Sequence, residues 1–94
     1  AVGCVAYREY DQKTVEVKRM FVKPEYINKN IAKKMMDVLE RTAKQQGYQY
    51  LILETNKEFY AAIALYRKCG FIITDNYDEY AFIDTSICLK KGIQ

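Results

Sequence analysis

The chain contains no histidine among its 94 residues. This absence excludes triads that use histidine as the base, histidine metal sites and imidazole acid–base chemistry. Any chemistry must therefore use Glu, Asp, Tyr, Lys, Cys or backbone groups. The three cysteines, Cys4, Cys69 and Cys88, match neither a metal-ligand spacing nor a disulfide framework. We expect them to be reduced, buried side chains of a cytoplasmic protein, and we expect no metal.

Long apolar runs and linker-like segments are also missing. No stretch of about 18 apolar residues is present, so we expect no membrane partner, and no signal peptide precedes the first predicted strand. The four glycines and one proline form no linker, which predicts a single domain over residues 1–94. The net charge of +3 suits a small anionic ligand but does not favour nucleic acid. What the chain does have is apolar residues, half of the total, including nine tyrosines and four phenylalanines for a core.

Hydrophobic periodicity predicts seven elements in the order β-β-α-β-α-β-β, an α/β sheet domain of two or three layers. The strands are predicted in "AVGCVAYREY", "TVEVKRMFV", "YQYLILET", "FIIT" and "YAFIDTSICLKK", and the helices over about 30–46 and 59–69. Gly47 and Gly70 are the expected helix stops. In the first helix one apolar face is predicted, made of Ile31, Met35, Val38, Leu39, Thr42 and Ala43.

The first two strands are predicted to form a hairpin around the three-residue loop "DQK". Counting from that loop, a simple register places Arg8 opposite Glu16 and Cys4 opposite Met20. Opposite charges in such a cross-strand pair stabilise a sheet by a few tenths of a kcal/mol to about 1 kcal/mol.

The loop before the first helix is a candidate anion site. It lies at the carboxyl end of a strand, where open α/β sheets bind ligands. The first helical turn offers the unpaired N–H groups of residues 30–33, and Lys29, Lys33 and Lys34 add positive charge. The loop contains no glycine, but Asn tolerates the left-handed conformation better than other residues with a Cβ. The alternative is an ordinary helix start that Asn28 or Asn30 simply caps.

Two segments, "VKRMFVKPEYINKNIAKKMMDVLERTAKQQGYQYLILET" and "AAIALYRKCGF", together resemble the GNAT-type N-acetyltransferase superfamily. The likeness covers nearly all of the chain. It implies a mixed, mostly antiparallel central sheet with a β-α-β-α-β-β core, as in acyl-CoA N-acyltransferases. It also implies acetyl-CoA as co-substrate and direct transfer of the acetyl group to a primary amine, carried by a small molecule or a peptide.

The resemblance also assigns site residues. The family's pyrophosphate loop, usually Gln/Arg-x-x-Gly-x-Gly/Ala, corresponds to residues 27–32, where Ile27 replaces the polar first residue and Asn30 replaces a glycine. Such a loop still directs N–H groups at a pyrophosphate, with lower affinity. Backbone groups near Phe21 and Val22, where the strand bends away from its neighbour in relatives, would hold pantetheine and the carbonyl. The residues implied to bind acetyl-CoA are Phe21, Val22, Ile27, Asn28, Lys29, Asn30, Ile31, Ala32 and Lys33.

Two residues are the catalytic candidates. Tyr66 matches the family's tyrosine in "LYRKCGF" and would protonate the departing thiolate, since a phenol is protonated at pH 7. The alternative for Tyr66 is a core tyrosine that shares a helix face with Ala62 and Cys69. Glu16 would accept the amine proton, directly or through water, and otherwise only pairs with Arg8. Glu54, at the end of the central strand, is the reserve proton acceptor.

The chain also departs from the family in length. Relatives usually carry a strand, two helices and a further strand ahead of the position of Ala1, and these elements often form one wall of the acceptor pocket. The chain is therefore expected to be a fragment, a short member of the family, or one that completes its pocket with a partner subunit, and an exposed sheet edge favours a homodimer. The alternative function is a GNAT-fold binding module for CoA or a protein, with little or no turnover.

Overall fold

The structure is a computed structural model that describes residues 3–23 and 30–94, with the side chains of residues 3, 4 and 19–22 excepted. The elements are β1 (Gly3–Asp11), β2 (Thr14–Val22), α1 (Ile31–Gln45), β3 (Tyr50–Asn56), α2 (Tyr60–Lys68), β4 (Ile72–Thr74), a 3₁₀ helix (Asp78–Phe82) and β5 (Ser86–Gly92). The predicted order of helices and strands is confirmed. The five strands form one sheet in the order β1-β2-β3-β5-β4. Strands β2 and β3 are parallel and the other three pairs are antiparallel, which confirms the mixed, mostly antiparallel sheet.

Both helices pack on the same face of this sheet, so the described residues form two layers. The buried cluster between the layers combines side chains of β2, β3, β5 and α1 with Phe71 and Ile93. Tyr66 and Cys69, from the α2 region, pack against that same cluster. Because strand side chains alternate, Glu16, Ile52 and Cys88 point to the opposite face of the sheet. That second face carries the polar groups described below.

The buried face of α1 differs from the predicted one. Met36, Leu39 and Ala43 are buried, whereas Val38 is 54% exposed. The helix is rotated so that Met36, rather than Val38, faces the sheet. The predicted residues Ile31, Met35 and Thr42 are only half-buried, beside β1. The apolar stripe in the sequence is wider than the sheet can cover, and periodicity alone did not locate its centre.

Both helices end as predicted, at glycines with positive φ. At the end of α1, the Gly47 N–H donates to the Lys44 carbonyl and the Tyr48 N–H donates to the Ala43 carbonyl. The Gly70 and Phe71 N–H groups repeat this pattern at the end of α2. The two glycines have φ values of 93° and 98°, in the left-handed region that glycine adopts without a steric penalty.

The hairpin confirms one predicted pair and corrects the other. Arg8 lies opposite Glu16 as predicted, but Cys4 lies opposite Phe21 rather than Met20. The register shifts because Lys18 is an extra residue on β2, between the Tyr7–Val17 and Ala6–Arg19 pairs. Such a β-bulge bends and twists its strand, and a count from the turn cannot detect it. The turn is also shorter than predicted, since Asp11 still pairs with Thr14.

The last predicted strand was too long. Only Ser86–Gly92 is extended, while Asp78–Phe82 forms the 3₁₀ helix, so Phe82 is 93% exposed and Ser86 is buried. Three-residue turn bonds replace the strand here, from the Tyr80 N–H to the Tyr77 carbonyl and from the Ile83 N–H to the Tyr80 carbonyl. The side-chain amide of Asn76 also donates to the carbonyls of Tyr80 and Ser86. The predicted alternation before Ser86 was therefore wrong.

Candidate active site

A gap opens in the sheet between β2 and β3. Their parallel ladder contains four pairs among the described residues and ends at Val17–Leu53. Beyond this point β2 continues to Val22 beside β1, and β3 continues to Asn56 beside β5. The bulge at Lys18 follows the last pair directly, so the bend that it introduces explains the separation of the two strands. Backbone N–H and C=O groups of β2 that face the gap have no partner on β3 and are available to an extended ligand.

The N-terminus of α1 follows β2 in the chain. Asn30 precedes the helix with φ 58° and ψ 21°, a left-handed conformation, as the sequence argument anticipated for an asparagine in a glycine position. Its side chain makes no capping hydrogen bond. The first intrahelical bond is donated by the Lys34 N–H to the Asn30 carbonyl, so the amides of residues 30–33 stay free of helix partners.

The charge at this helix end favours an anion. The first turn of α1 contains no acidic residue, and Lys33 and Lys34 are exposed there. Lys33 also pairs with Asp37, at 3.3 Å between Nζ and Oδ2. Together with the helix dipole, these groups fit a small anion such as a phosphate. Of the predicted cofactor residues, Ile27, Asn28 and Lys29 lie outside the described residues, and Phe21 and Val22 are described only by their backbone.

Glu16 lies on the sheet face opposite the helices, one residue before the last β2–β3 pair. Its side chain is 1% exposed and both carboxylate oxygens have partners. Arg8 Nε donates to Oε1 at 2.8 Å, the Tyr77 hydroxyl donates to Oε2 at 2.7 Å, and Lys18 Nζ lies 3.7 Å from Oε2. Burial by itself would raise the pKa of Glu16, but the hydrogen bonds from Tyr77 and Arg8 outweigh it, and its pKa is lowered. Glu16 is therefore ionised at neutral pH.

Tyr77, from the segment after β4, contacts this carboxylate, and sequence reasoning missed both Tyr77 and its neighbour Tyr80. Tyr77 packs edge-on against Tyr10 and Tyr80, with ring centroids 5.5 Å apart in each pair. Lys18 donates to the Tyr80 hydroxyl at 3.1 Å. Burial, followed by the bond to Glu16, raises the pKa of Tyr77 far above its usual value, so Tyr77 stays protonated. The sequence signal was weak, because the polar composition of "DNYDEY" indicates a loop but not its packing on the sheet.

Glu54 occupies the same face as Glu16, directly after the last β2–β3 pair. It lies opposite Cys88 on β5 and is half-buried. The Ser86 hydroxyl donates to Glu54 Oε2 at 2.6 Å, and Ser86 is itself 3% exposed. Cys88 lies beside Glu54 on the side away from Glu16. Burial, with smaller effects from the charges of Glu54 and Glu16, raises the pKa of its thiol despite the opposing backbone hydrogen bond from Tyr77. Cys88 is therefore an inert, protonated core thiol.

Tyr66 lies on the other face of the sheet, in α2. Its ring packs edge-on against Phe71, with centroids 5.9 Å apart, and touches the core cluster. Burial raises the pKa of Tyr66, so the phenol is protonated at neutral pH and able to donate. No hydrogen bond ties up its hydroxyl among the described residues. The structure thus separates the two predicted catalytic residues, with Tyr66 on the helix face and Glu16 on the opposite face.

Metal sites and membrane-spanning helices are both absent from the described part of the chain. No group of three or more Cys, Asp or Glu side chains there has the arrangement that a metal ion needs. Neither helix there has both the length and the apolar character that crossing a membrane requires.

The sheet, the gap and the helix start define an α/β fold like that of the acyl-CoA N-acyltransferases, and comparison with known proteins identifies the family. The model of the acetyltransferase (GNAT) family matches residues 1–71. The chain belongs to this family. It is 42% identical over 65 residues to an uncharacterized N-acetyltransferase of Dictyostelium discoideum, covering 69% of the chain and 30% of that protein.

Solved structures agree with this assignment. The chain superposes with a TM-score of 0.94 and 30% identity on a crystal structure from Klebsiella pneumoniae, of a protein assigned as an acyl-CoA N-acyltransferase. The match covers the whole chain and 65% of that protein. A GNAT family acetyltransferase from Elizabethkingia anophelis, solved with acetyl-CoA bound, shares the fold with a TM-score of 0.83 at 24% identity, over 97% of the chain and 68% of that protein. The chain therefore spans between about a third and two thirds of the proteins that it matches.

Proposed function

We propose that the chain is a GNAT domain that transfers an acetyl group from acetyl-CoA to a primary amine by direct attack. The observation that carries this proposal is the gap between β2 and β3, whose ladder ends at Val17–Leu53. A gap of this kind exposes backbone donors and acceptors along one strand, as an extended pantetheine requires. Membership of the family and the acetyl-CoA complex of a relative support the same co-substrate.

The backbone of Phe21 and Val22 holds the pantetheine and the thioester carbonyl in this proposal. The pyrophosphate lies against residues 27–33, where the amides of Asn30, Ile31, Ala32 and Lys33 are free of helix partners. Ile27, Asn28 and Lys29 complete the loop. A backbone N–H of Phe21 or Val22 directed at the thioester carbonyl would stabilise the charge that develops on its oxygen during attack.

Tyr66 acts as the proton donor to the departing thiolate. Its phenol is protonated, half-buried and free of hydrogen-bond partners among the described residues, so donation breaks no existing contact. Glu16 contributes a fixed negative charge on the opposite face, which stabilises the positive charge that forms on the attacking nitrogen. Its engaged oxygens and its 1% exposure favour this electrostatic role over that of proton acceptor.

Calorimetric titration with acetyl-CoA tests the cofactor site, with ADP as the control ligand. We expect a dissociation constant in the micromolar range for acetyl-CoA and weaker binding of ADP, because ADP lacks the pantetheine that the gap would hold. Absence of binding at millimolar acetyl-CoA would contradict the proposal.

The variant Tyr66→Phe separates an enzyme from a binding module. In an enzyme, loss of the donor lowers the transfer rate at least about tenfold, while acetyl-CoA affinity stays the same. The hydroxyl has no partner among the described residues, so the melting temperature should change little. Equal transfer rates for the two proteins would remove Tyr66 from the mechanism, and no transfer by either would favour the binding module.

The proposal also covers the oligomeric state and the cellular location of the domain. We propose one GNAT domain over residues 1–94, active in the cytoplasm and paired in a homodimer that covers the outer edge of β1. An apolar groove of about 430 Å³ between β1 and α1, lined by Tyr7, Met35 and Val38 among others, adds surface for such a contact. Sedimentation of the purified chain should show a dimer, and a monomer at high concentration would overturn this part.

A further inference from the structure

We propose that Glu54, positioned by Ser86, is the group that accepts the proton of the attacking amine. This inference rests on the proposed acetyl transfer and adds a residue to it. Glu54 is the first residue of β3 beyond the last pair with β2, so it lies where the gap begins. Its backbone is fixed from the other side by the pair with Cys88 on β5. The carboxylate therefore sits on a rigid strand rather than on a loop.

The carboxylate of Glu54 is free to accept a proton, whereas the carboxylate of Glu16 is not. Among the described side chains, no Lys or Arg nitrogen lies within 4.0 Å of the Glu54 carboxylate, and its one hydrogen bond goes to Oε2. Oε1 faces no protein donor there, and the side chain is half-buried, so water or an amine reaches it. Glu16 is enclosed by Arg8, Tyr77 and Lys18.

Ser86 fixes the orientation of the acceptor. Its hydroxyl donates to Glu54 at 2.6 Å from a position that is 3% exposed, so the donor has little freedom to turn toward solvent. A general base works best when one oxygen is held and the other is directed at the substrate. Ser86 is thus a positioning residue in this scheme.

The proposed step balances as follows. The neutral amine nitrogen attacks the thioester carbonyl carbon, the C–N bond forms and the C–S bond breaks. One proton of the nitrogen passes to Glu54 Oε1, directly or through a water, and the phenolic proton of Tyr66 passes to the thiolate sulfur. Glu54 then releases its proton to solvent, and Tyr66 takes one back. The products are the acetamide and free CoA, with no other reactant needed.

The test compares Glu54→Gln and Glu16→Gln in the transfer reaction. The acceptor probe is whichever of lysine, spermidine and alaninamide the wild-type chain acetylates fastest. Glu54→Gln keeps the shape of the side chain and an oxygen for the Ser86 hydroxyl. We expect its kcat to fall by about 100-fold or more, while the acetyl-CoA dissociation constant stays within twofold. Formate, a small external carboxylate, should restore part of the rate in Glu54→Gln but not in Glu16→Gln.

Two further variants complete the set. Glu58→Gln removes an exposed carboxylate near α2 and should leave the rate unchanged. Ser86→Ala should lower kcat without changing the KM for acetyl-CoA, and Ser86→Thr should recover rate because it keeps the hydroxyl. Melting temperatures measured on each variant separate loss of folding from loss of chemistry.

Several outcomes would overturn the proposal. They are a Glu54→Gln variant that keeps more than a third of the wild-type kcat, formate rescue of Glu16→Gln alone, and a loss confined to acetyl-CoA affinity. If wild type itself transfers to none of the three amines, the proposed function fails and this inference falls with it. A wild type that transfers beside an unaffected Glu54→Gln shows that only the assignment of Glu54 is wrong.

Discussion

The hydroxyl of Tyr77 donates a 2.7 Å hydrogen bond to Oε2 of Glu16, a residue 61 positions earlier in the chain. This contact fastens the segment after β4 to the sheet face that carries Glu16. Arg8 holds the other oxygen of the same carboxylate. The buried charge is thereby paired on both sides, which is the condition under which a carboxylate is tolerated at 1% exposure.

Tyr77→Phe should destabilise the fold by about 1.5–3 kcal/mol, since it removes a hydrogen bond to a buried, charged acceptor. Urea unfolding at pH 7 measures the change. Tyr80→Phe is the matched control, because among the described residues the Tyr80 hydroxyl has a hydrogen bond only with the partly exposed Lys18. Its loss should change stability by about 0.5 kcal/mol or less. Equal effects of the two substitutions would mean that the bond to Glu16 stabilises the fold no more than the bond between Tyr80 and Lys18 does.

The stability of the chain should depend on Glu16 at acid pH. The pKa of Glu16 is lowered from its ordinary value of 4.5, so the folded state favours the ionised form. That contribution is fully present above the unfolded pKa and is lost as the pH falls through the folded pKa. Between about pH 6 and pH 3, wild type should therefore lose more free energy of unfolding than Glu16→Gln does.

The comparison also has an internal control. The pKa of Asp11 is lowered too, mainly by the hydrogen bond from the Lys13 N–H, but Asp11 is present in both proteins and its effect cancels. Urea unfolding of both proteins at several pH values in this range supplies the measurement. Parallel curves for the two proteins would show that Glu16 titrates alike in the folded and unfolded states.

Asn30 should be replaceable by glycine but not by alanine. With φ 58° and no capping hydrogen bond, its side chain contributes little to the helix start, and glycine adopts this conformation freely. Asn30→Gly should leave stability nearly unchanged and strengthen acetyl-CoA binding, because the loop can approach the pyrophosphate more closely. Asn30→Ala should cost about 1 kcal/mol. Calorimetry measures acetyl-CoA binding and urea unfolding measures stability. Weaker acetyl-CoA binding by Asn30→Gly would contradict the proposed pyrophosphate site at the start of α1.

Gly70→Ala should be more damaging than Gly47→Ala. Both glycines have positive φ, so a Cβ costs about 1–2 kcal/mol at either position. At Gly47 an added Cβ meets nothing within 4 Å, but at Gly70 it lies 3.1 Å from Cε of Lys91. Lys91 Nζ is held 2.8 Å from Oε2 of Glu40, so moving it disturbs an ion pair. Thermal unfolding of the two variants gives the difference in stability. Identical melting temperatures would show that Lys91 moves aside without any loss of stability.

Much of the fold could be predicted, because it depends on local chemistry. The glycine stops at 47 and 70, the left-handed Asn30 and the Arg8–Glu16 pair each follow from a few neighbouring residues. The features that were predicted wrongly depend on contacts with residues far away in the chain. The bulge at Lys18 shifted the hairpin register, and the packing of α1 on the sheet chose Met36 over Val38.

By itself, the sequence determined the order of the elements, the start and stop of each helix and the family resemblance that the comparisons confirm. The periodicity of apolar side chains and the conformation of glycine depend on residues within one or two helical turns. Both can therefore be inferred from the sequence. Only the tertiary structure decided that Glu16 is enclosed while Glu54 is open, and that Tyr66 and Glu16 lie on opposite faces of the sheet. The burial of each candidate group and its hydrogen-bond partners depend on residues that folding brings together. Burial and partners in turn determine whether the group is charged and whether a substrate can contact it.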